Sequence, residues 1–278
     1  MKTSEILKFG SNLLKEKQIP SHIIDSEILL SRILKKTREE ILSNLDQKVK
    51  EKNILAFRKY LYRRSNNEPV AYILKEKEFW SKKFYVNKFT LIPRPETELL
   101  VDKLVKIFRG KKISILDIGT GSGCIIISLL SELNESTGYG VDISKNAISI
   151  AKKNAIKHKI NRIKFLTKSI DNIFCKKFDL VVSNPPYILK KDLKNLENDI
   201  KKYEPRMALD GGNDGLDLIK KVIYKSKDIL KIKGTLALEI GNEQFKKVSK
   251  ILFDNNFRIK HLIKDYKNKV ICLFADNN

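Results

Sequence analysis

Ser183-Asn184-Pro185-Pro186-Tyr187 is the stretch of this chain best equipped for chemistry. It follows Phe178-Asp179-Leu180-Val181-Val182, a run that predicts a buried strand ending at the asparagine. Two consecutive prolines forbid both a helix and continued ladder pairing. The backbone beyond Asn184 is therefore rigid and extended, and its carbonyls have no neighbouring N–H group to satisfy. Asn184 adds a side-chain carbonyl acceptor, and Tyr187 adds an aromatic face and a hydroxyl. Such a site can accept both hydrogens of a planar NH2 group while a ring covers its plane. The same residues also suit an ordinary strand-end turn, so the choice depends on what lies upstream.

Upstream stands Asp117-Ile118-Gly119-Thr120-Gly121-Ser122-Gly123, after one predicted strand and before a helix. Glycines at this spacing let backbone turn tightly and approach a ligand without Cβ interference. Asp142 ends the next strand, where an acid can accept hydrogen bonds from both hydroxyls of a ribose. Glycine loop and acid together also describe a dinucleotide site. The Asn-Pro-Pro-Tyr resembles the (D/N)PP(Y/F/W) signature of methyltransferases acting on amide or exocyclic amino nitrogens. That resemblance favours S-adenosylmethionine, which carries no pyrophosphate, and whose sulfonium end Asp117 would face.

These residues need a scaffold, and the periodicity supplies one. From Lys112 the pattern alternates: strand 113–118, helix 123–132, strand 137–142, helix 145–158, strands 162–167 and 178–183. A long loop then leads to helix 214–231, strand 234–240, helix 243–254 and strands 257–264 and 269–275. This predicts an α/β fold, a mostly parallel seven-stranded sheet with an antiparallel C-terminal hairpin. Residues 1–75 read as a small helical bundle, with Pro20-Ser21 as a helix break and N-cap. Another helix spans about Lys52–Arg64 and would bury Ile54, Leu55, Phe57, Leu61 and Tyr62. Glu68 to Ile92 reads as a β-hairpin or connector holding the single tryptophan, Trp80, as a packing residue; the domain divisions expected are 1–75, 76–92 and 93–278. Ile92-Pro93-Arg94-Pro95-Glu96-Thr97-Glu98 opens helix 96–108, its acids either complementing the helix dipole or shaping the site.

Composition narrows the function classes. A 278-residue chain, 42% hydrophobic, has material for one large domain and a small partner. No apolar run reaches membrane-span length and no signal-peptide core follows Met1-Lys2-Thr3-Ser4-Glu5, so no membrane association is expected. Cys124, Cys175 and Cys272 lack ligand-pair spacing, which predicts no metal and a reducing cytoplasm. His22, His158 and His261 are scattered and read as surface or structural residues. The net charge of +23 would suit nucleic acid, yet residues 1–78 hold 17 basic and 11 acidic side chains, and the excess scales with length.

Four motifs occur in order: Ile92–Glu98, Leu116–Gly123, Ser183–Tyr187 and the glycine-rich Tyr203-Glu-Pro-Arg-Met-Ala-Leu-Asp-Gly-Gly-Asn-Asp-Gly-Leu216. Together they resemble the release factor glutamine methyltransferase family, PrmC/HemK, over nearly the whole chain. The resemblance implies a class I fold that uses S-adenosylmethionine to methylate the glutamine amide in the Gly-Gly-Gln loop of class 1 peptide chain release factors. Gly119, Thr120, Gly121, Ser122 and Gly123 would cradle the methionine part, and Asp142 the ribose. Asn184 and the Pro185 carbonyl would hold the glutamine amide, with Pro186 and Tyr187 against it and Asn184 also near the cofactor. The N-terminal helices would contact the release factor, the enzyme acting as a monomer with no nucleic-acid substrate. One departure is the adenine site, where relatives carry Asp and an aromatic residue. Here Ser169 and Ile170 stand, with Asp171 next, so Ile170 would cover the adenine without stacking. The rivals are an adenine-N6 DNA or RNA methyltransferase, which would need a basic recognition domain and base flipping, and a ribosomal-protein glutamine methyltransferase sharing every catalytic motif.

Overall fold

The computed structural model describes residues 1–172 and 177–277; Cys175 lies outside them. The chain divides into two compact units, one of 1–76 with 197–203, the other of 77–196 with 204–278.

In the first unit, helices α1 (Thr3–Glu16), α2 (His22–Leu34), α3 (Arg38–Leu42), α4 (Glu51–Ser65) and α5 (Val70–Leu74) precede α9 (Asn198–Tyr203). Their core gathers Ile6, Leu14, Leu29, Leu30, Ile54, Phe57 and Leu61. Ile54, Phe57, Leu61 and Arg64 recur along one face of α4 and are buried. Leu55 and Tyr62, expected on that face, lie a step round the helix and are exposed. Ile23 and Ile24 of α2 are exposed likewise. Ser21 does stand at the N-cap of α2, but its hydroxyl donates to Asp25 Oδ2 at 2.7 Å instead of accepting a backbone N–H. Residues 70–74, expected as connector, form α5 because Pro69 suits a helix entry. The same Asp25 oxygen accepts Arg64 Nε at 2.7 Å, both residues being buried.

The second unit opens with a small hairpin, β1 (Lys77–Phe79) and β2 (Lys82–Phe84), paired antiparallel. Helix α6 (Pro95–Phe108) follows, with proline in its first turn. A seven-stranded sheet then forms from β3 (Ser114–Ile118), β4 (Thr137–Asp142), β5 (Ile163–Thr167), β6 (Phe178–Ser183), β7 (Leu230–Glu239), β8 (Phe257–Lys264) and β9 (Val270–Asn277), in spatial order β5-β4-β3-β6-β7-β9-β8. The first five strands run parallel, and β9 pairs antiparallel with both β7 and β8. Helices α7 (Cys124–Glu132), α8 (Lys145–Lys157), α10 (Asp217–Ile229) and α11 (Phe245–Asp254) intervene, and the apolar side chains divide into two clusters. This is the α/β architecture expected, a mostly parallel seven-stranded sheet with an antiparallel terminal hairpin. The chain order reverses between β3 and β6, so the carboxyl ends of β3, β4 and β6 frame a crevice, the usual ligand position in such sheets.

Trp80 and the histidines serve packing. The Trp80 indole donates to Glu132 at 2.9 Å; His22 bonds Ser11, His158 reaches the Lys83 carbonyl and stacks near Phe84, and His261 meets Phe274.

Removing one partner of a buried ion pair costs roughly 3–5 kcal/mol at most; without Asp25, Arg64 would keep only Asp199 as a charged partner among the described residues, its Oδ2 lying 4.0 Å from the Arg64 Nη1. Asp25→Ala is therefore expected to destabilise the helical unit by up to that much in urea unfolding; a change below about 0.5 kcal/mol, the scale of surface substitutions, would contradict it.

Candidate active site

A cavity of ≈ 420 Å³ lies at the carboxyl ends of β3, β4 and β6, within the range of small-molecule sites. Gly119, Thr120, Gly121, Ser122, Asp142, Ile170, Asn184 and Pro186 all line it. Gly119 and Gly121 have φ of +72° and +53°, which L side chains rarely adopt, and a Cβ on Gly119 would meet nothing within 4 Å. The loop's glycines thus leave open space that side chains would take. Gly119 and Thr120 donate their N–H groups to the Val141 carbonyl, tying the loop to β4.

Gly123 behaves differently. It is absent from the cavity wall, and a Cβ there would press on Ile127 at 2.9 Å and Ala151 at 3.3 Å. It allows α7 to sit close to α8. Asp117 is also behind the wall: it is buried, and its Oδ2 accepts the Thr120 hydroxyl at 2.6 Å. Burial, with Asp142 nearby, pushes its carboxyl up to about 7. Its direct effect falls on Thr120, which does reach the cavity.

Asp142 accepts the Gly121 N–H through Oδ2 at 3.0 Å and the Ser144 N–H through Oδ1 at 2.9 Å. Burial raises its pKa while these backbone donors oppose the shift. One acceptor lone pair on each oxygen remains for a ligand. Ile170 begins a 3-10 turn and is buried against the cavity, which Ser169 also lines. The Ser169 hydroxyl donates to Asp171 Oδ2 at 3.0 Å, and Lys221 approaches the same oxygen at 3.6 Å. Asp171 is off the wall, so Ser169 and Ile170 form this side of the site.

At the opposite end, the Asn184 side chain donates from Nδ2 to Thr97 Oγ1 at 3.3 Å, and Thr97 donates to Glu239 Oε2 at 2.7 Å. Asn184 Oδ1 and the Pro185 carbonyl accept no hydrogen bond from the described residues. Pro185 and Tyr187 are not on the cavity wall. Tyr187 is half-buried beside it, and desolvation together with Glu239 pushes its phenol up to about 12. Its hydroxyl therefore stays protonated through the physiological range.

The turn is clamped from outside. Gln244 Nε2 donates to the carbonyls of Tyr187 at 3.0 Å and Gly215 at 2.9 Å. Ile188 donates to Leu209, Gly211 returns a bond to Ile188, and Lys190 donates to Gly212. A Cβ at Gly211 would lie 2.8 Å from the Gly215 carbonyl, so the glycine-rich motif exists to fold this loop against the turn. Glu204, nearly fully buried, accepts the Ile92 N–H at 3.1 Å and Arg94 at 2.6 Å, joining the first motif to the fourth.

Glu239, Gln244 and Asn154 were not singled out by sequence, and Thr97 was read only as a member of the Ile92–Glu98 motif. Asn154 is fully buried, accepting the Tyr85 N–H and donating to the Tyr85 and Ser122 carbonyls. One signal was visible: Glu239 is the lone carboxylate ending an apolar strand, Leu236-Ala237-Leu238, ahead of Ile240-Gly241. Of the cysteines, Cys272 is buried and Cys124 half-buried. Among the described residues no cluster of three potential ligands could hold a metal, and no helix is long and apolar enough to cross a membrane.

Comparison with known proteins settles the class. A PrmC N-terminal domain model matches residues 5–74, and a methyltransferase domain model matches 109–270. The chain is 41% identical to the release factor glutamine methyltransferase of Buchnera aphidicola subsp. Baizongia pistaciae, over 82% of each chain. The chain belongs to the release factor glutamine methyltransferase family. A relative of that name from Fusobacterium nucleatum subsp. nucleatum is 39% identical over 94% of this chain and 75% of its own. A methyltransferase from Pyrococcus furiosus shares the fold, with a TM-score of 0.53, 16% identity and coverage of 70% of this chain and 88% of that one. Membership makes this an S-adenosylmethionine-dependent methyltransferase, and the glycine cradle, Asp142 and Ile170 are chemically suited to that cofactor.

Gly119→Ala puts a methyl group into the open space and strains a positive φ, so affinity for S-adenosylhomocysteine should fall at least about 10-fold in calorimetric titration, some 1.4 kcal/mol. Unchanged affinity with an intact fold would place the cofactor elsewhere.

Proposed function

We propose that this enzyme methylates the side-chain amide nitrogen of the glutamine in the Gly-Gly-Gln loop of class 1 peptide chain release factors. The observation that carries the reading is the pair of unclaimed acceptors, Asn184 Oδ1 on the wall of the cavity and the carbonyl of Pro185, the next residue in the chain. An amide NH2 presents two hydrogens in one plane, and two neighbouring acceptors match them. The names of the relatives supply the acceptor protein.

In this reading Gly119 to Ser122 and Asp142 hold the cofactor, and Gly123 and Asp117 shape the loop that does so. When bound, S-adenosylmethionine supplies an electrophilic methyl group on a positively charged sulfur. The amide nitrogen is a poor nucleophile because its lone pair is delocalised into the carbonyl. Asn184 and Pro185 hold its two hydrogens and favour the positive charge that grows on nitrogen as the new N–C bond forms. Fixing the nitrogen in line can contribute roughly 7–11 kcal/mol at best through effective molarity. Tyr187 and Pro186 give apolar cover, and the high phenol pKa leaves Tyr187 without a base's role. The methylated nitrogen, strongly acidic, loses its proton to water.

The N-terminal helices serve as the release-factor contact. Large apolar side chains facing outward from α2 and α4, among them Ile23, Ile24, Leu55 and Tyr62, support that assignment. The enzyme works as a cytoplasmic monomer, and the even spread of its positive charge supports a protein acceptor over nucleic acid.

Labelled S-adenosylmethionine offered with a class 1 release factor, intact ribosomes and duplex DNA tests this directly. Label should enter the release factor and vanish when its loop glutamine is replaced. Label in ribosomal protein or DNA would overturn the acceptor. Asn184→Ala should lower turnover by about 10²–10³, the usual cost of one preorganised polar partner.

A further inference from the structure

Asn184 can serve as a clamp only if its oxygen, and not its amino group, faces the acceptor. The two ends of an asparagine amide are nearly isosteric, so shape alone does not decide which end points where. The residues behind it do. Ser183 of β6 is in register with Leu238 of β7, which puts Asn184 and Glu239 side by side at the ends of parallel strands. Thr97, from the first turn of α6, stands between them, and both Thr97 and Glu239 are almost wholly buried.

The direction of this hydrogen-bond chain follows from its members. An ionised carboxylate can only accept, so the single Thr97 hydrogen goes to Glu239 Oε2, at 2.7 Å. The Thr97 oxygen then has only lone pairs left, and the Asn184 atom 3.3 Å away must be a donor. That atom is Nδ2, which turns Oδ1 the other way.

We propose that Glu239, through Thr97 and through its own approach to the Asn184 amide, is a positioning residue that fixes the polarity of Asn184 so that the side chain presents an acceptor to the substrate amide. The inference rests on the clamp role given to Asn184 above. A reversed Asn184 would set N–H against N–H and expel the substrate nitrogen from its position. Neither positioning residue need touch a reacting atom.

The arrangement is sensitive to protonation. A neutral Glu239 could donate to Thr97, which could then donate to Asn184 Oδ1, reversing the whole chain. The ionisable groups facing Glu239 are Arg94 and Glu96 at the start of α6, Tyr187 from the turn, Cys272 from β9 and Cys124 from α7. Burial outweighs the Thr97 and Asn184 hydrogen bonds and pushes the Glu239 carboxyl up to about 7. The ionised form is the working one, so the oriented state is gained as pH rises through about 7 and lost below it.

The test is the side-chain amide NMR signal of Asn184, identified by its loss in Asn184→Ala and followed in labelled full-length protein. In the wild type this signal should titrate near neutrality, and in Glu239→Gln that titration should be absent. In Thr97→Val the Asn184 amide hydrogens should exchange with solvent at least about 10-fold faster, as expected for a lost buried bond, while Thr97→Ser recovers the slow exchange. Methyl transfer should follow in parallel: Thr97→Val should lose at least about 10-fold in kcat, with S-adenosylhomocysteine affinity held and most activity recovered in Thr97→Ser. An Asn184 signal that neither titrates in the wild type nor responds to Thr97→Val overturns the proposal, and so does full kcat in Thr97→Val. If the wild type fails to label release factor but the Asn184 signal behaves as described, the acceptor reading falls and the positioning role stands.

Discussion

The Ser183 hydroxyl donates to the Ile118 carbonyl at 2.7 Å, across the parallel pairing of β3 and β6. That bond joins the last residues of two neighbouring strands, both fully inside the sheet. One residue further along each strand stand Gly119, which opens the glycine loop, and Asn184, which opens the Asn-Pro-Pro-Tyr turn. Register in a sheet has a period of two, and a one-residue slip would move every side chain to the opposite face. The two motifs are thus brought together by strand pairing, before any loop geometry is considered. Apolar contacts on both sides of the sheet make that register costly to change.

Around this pairing, the catalytic unit tolerates carboxyls in places where charge is expensive. Asp117 and Glu239 are both buried and both pushed up to about 7. Each accepts a hydrogen bond from a threonine hydroxyl, Thr120 in one case and Thr97 in the other. Each threonine in turn lines the cavity. In both places the carboxyl stands one residue behind the cavity wall, with a threonine hydroxyl between it and the open space.

Much of this was legible in sequence because strand-end motifs report on backbone. The alternation of strands and helices predicted the sheet and its terminal hairpin, and Asn184, Gly119 and Asp142 were placed at strand ends by periodicity alone. What sequence did not reveal came from long-range pairing. Thr97 and Glu239 are 142 residues apart, and their bond depends on α6 packing over the end of β7. Gly123 read as part of the cradle because spacing cannot separate a glycine that faces a ligand from one that faces a helix. Tyr62 and Leu55 read as buried because apolar residues one step off a helical stripe share its composition while facing water. The short helix at 70–74 was hidden among residues whose β-branched and aromatic character suits strands equally well.

The central claim is that two strand-end acceptors hold the glutamine amide beside the cofactor cavity. Its most direct test is a crystal structure of the enzyme with S-adenosylhomocysteine and a release-factor domain carrying the Gly-Gly-Gln loop. The account predicts the glutamine nitrogen within hydrogen-bond distance, about 2.7–3.2 Å, of both Asn184 Oδ1 and the Pro185 carbonyl. A glutamine nitrogen bound by other groups, or an Asn184 whose amino end faces the substrate, would contradict it.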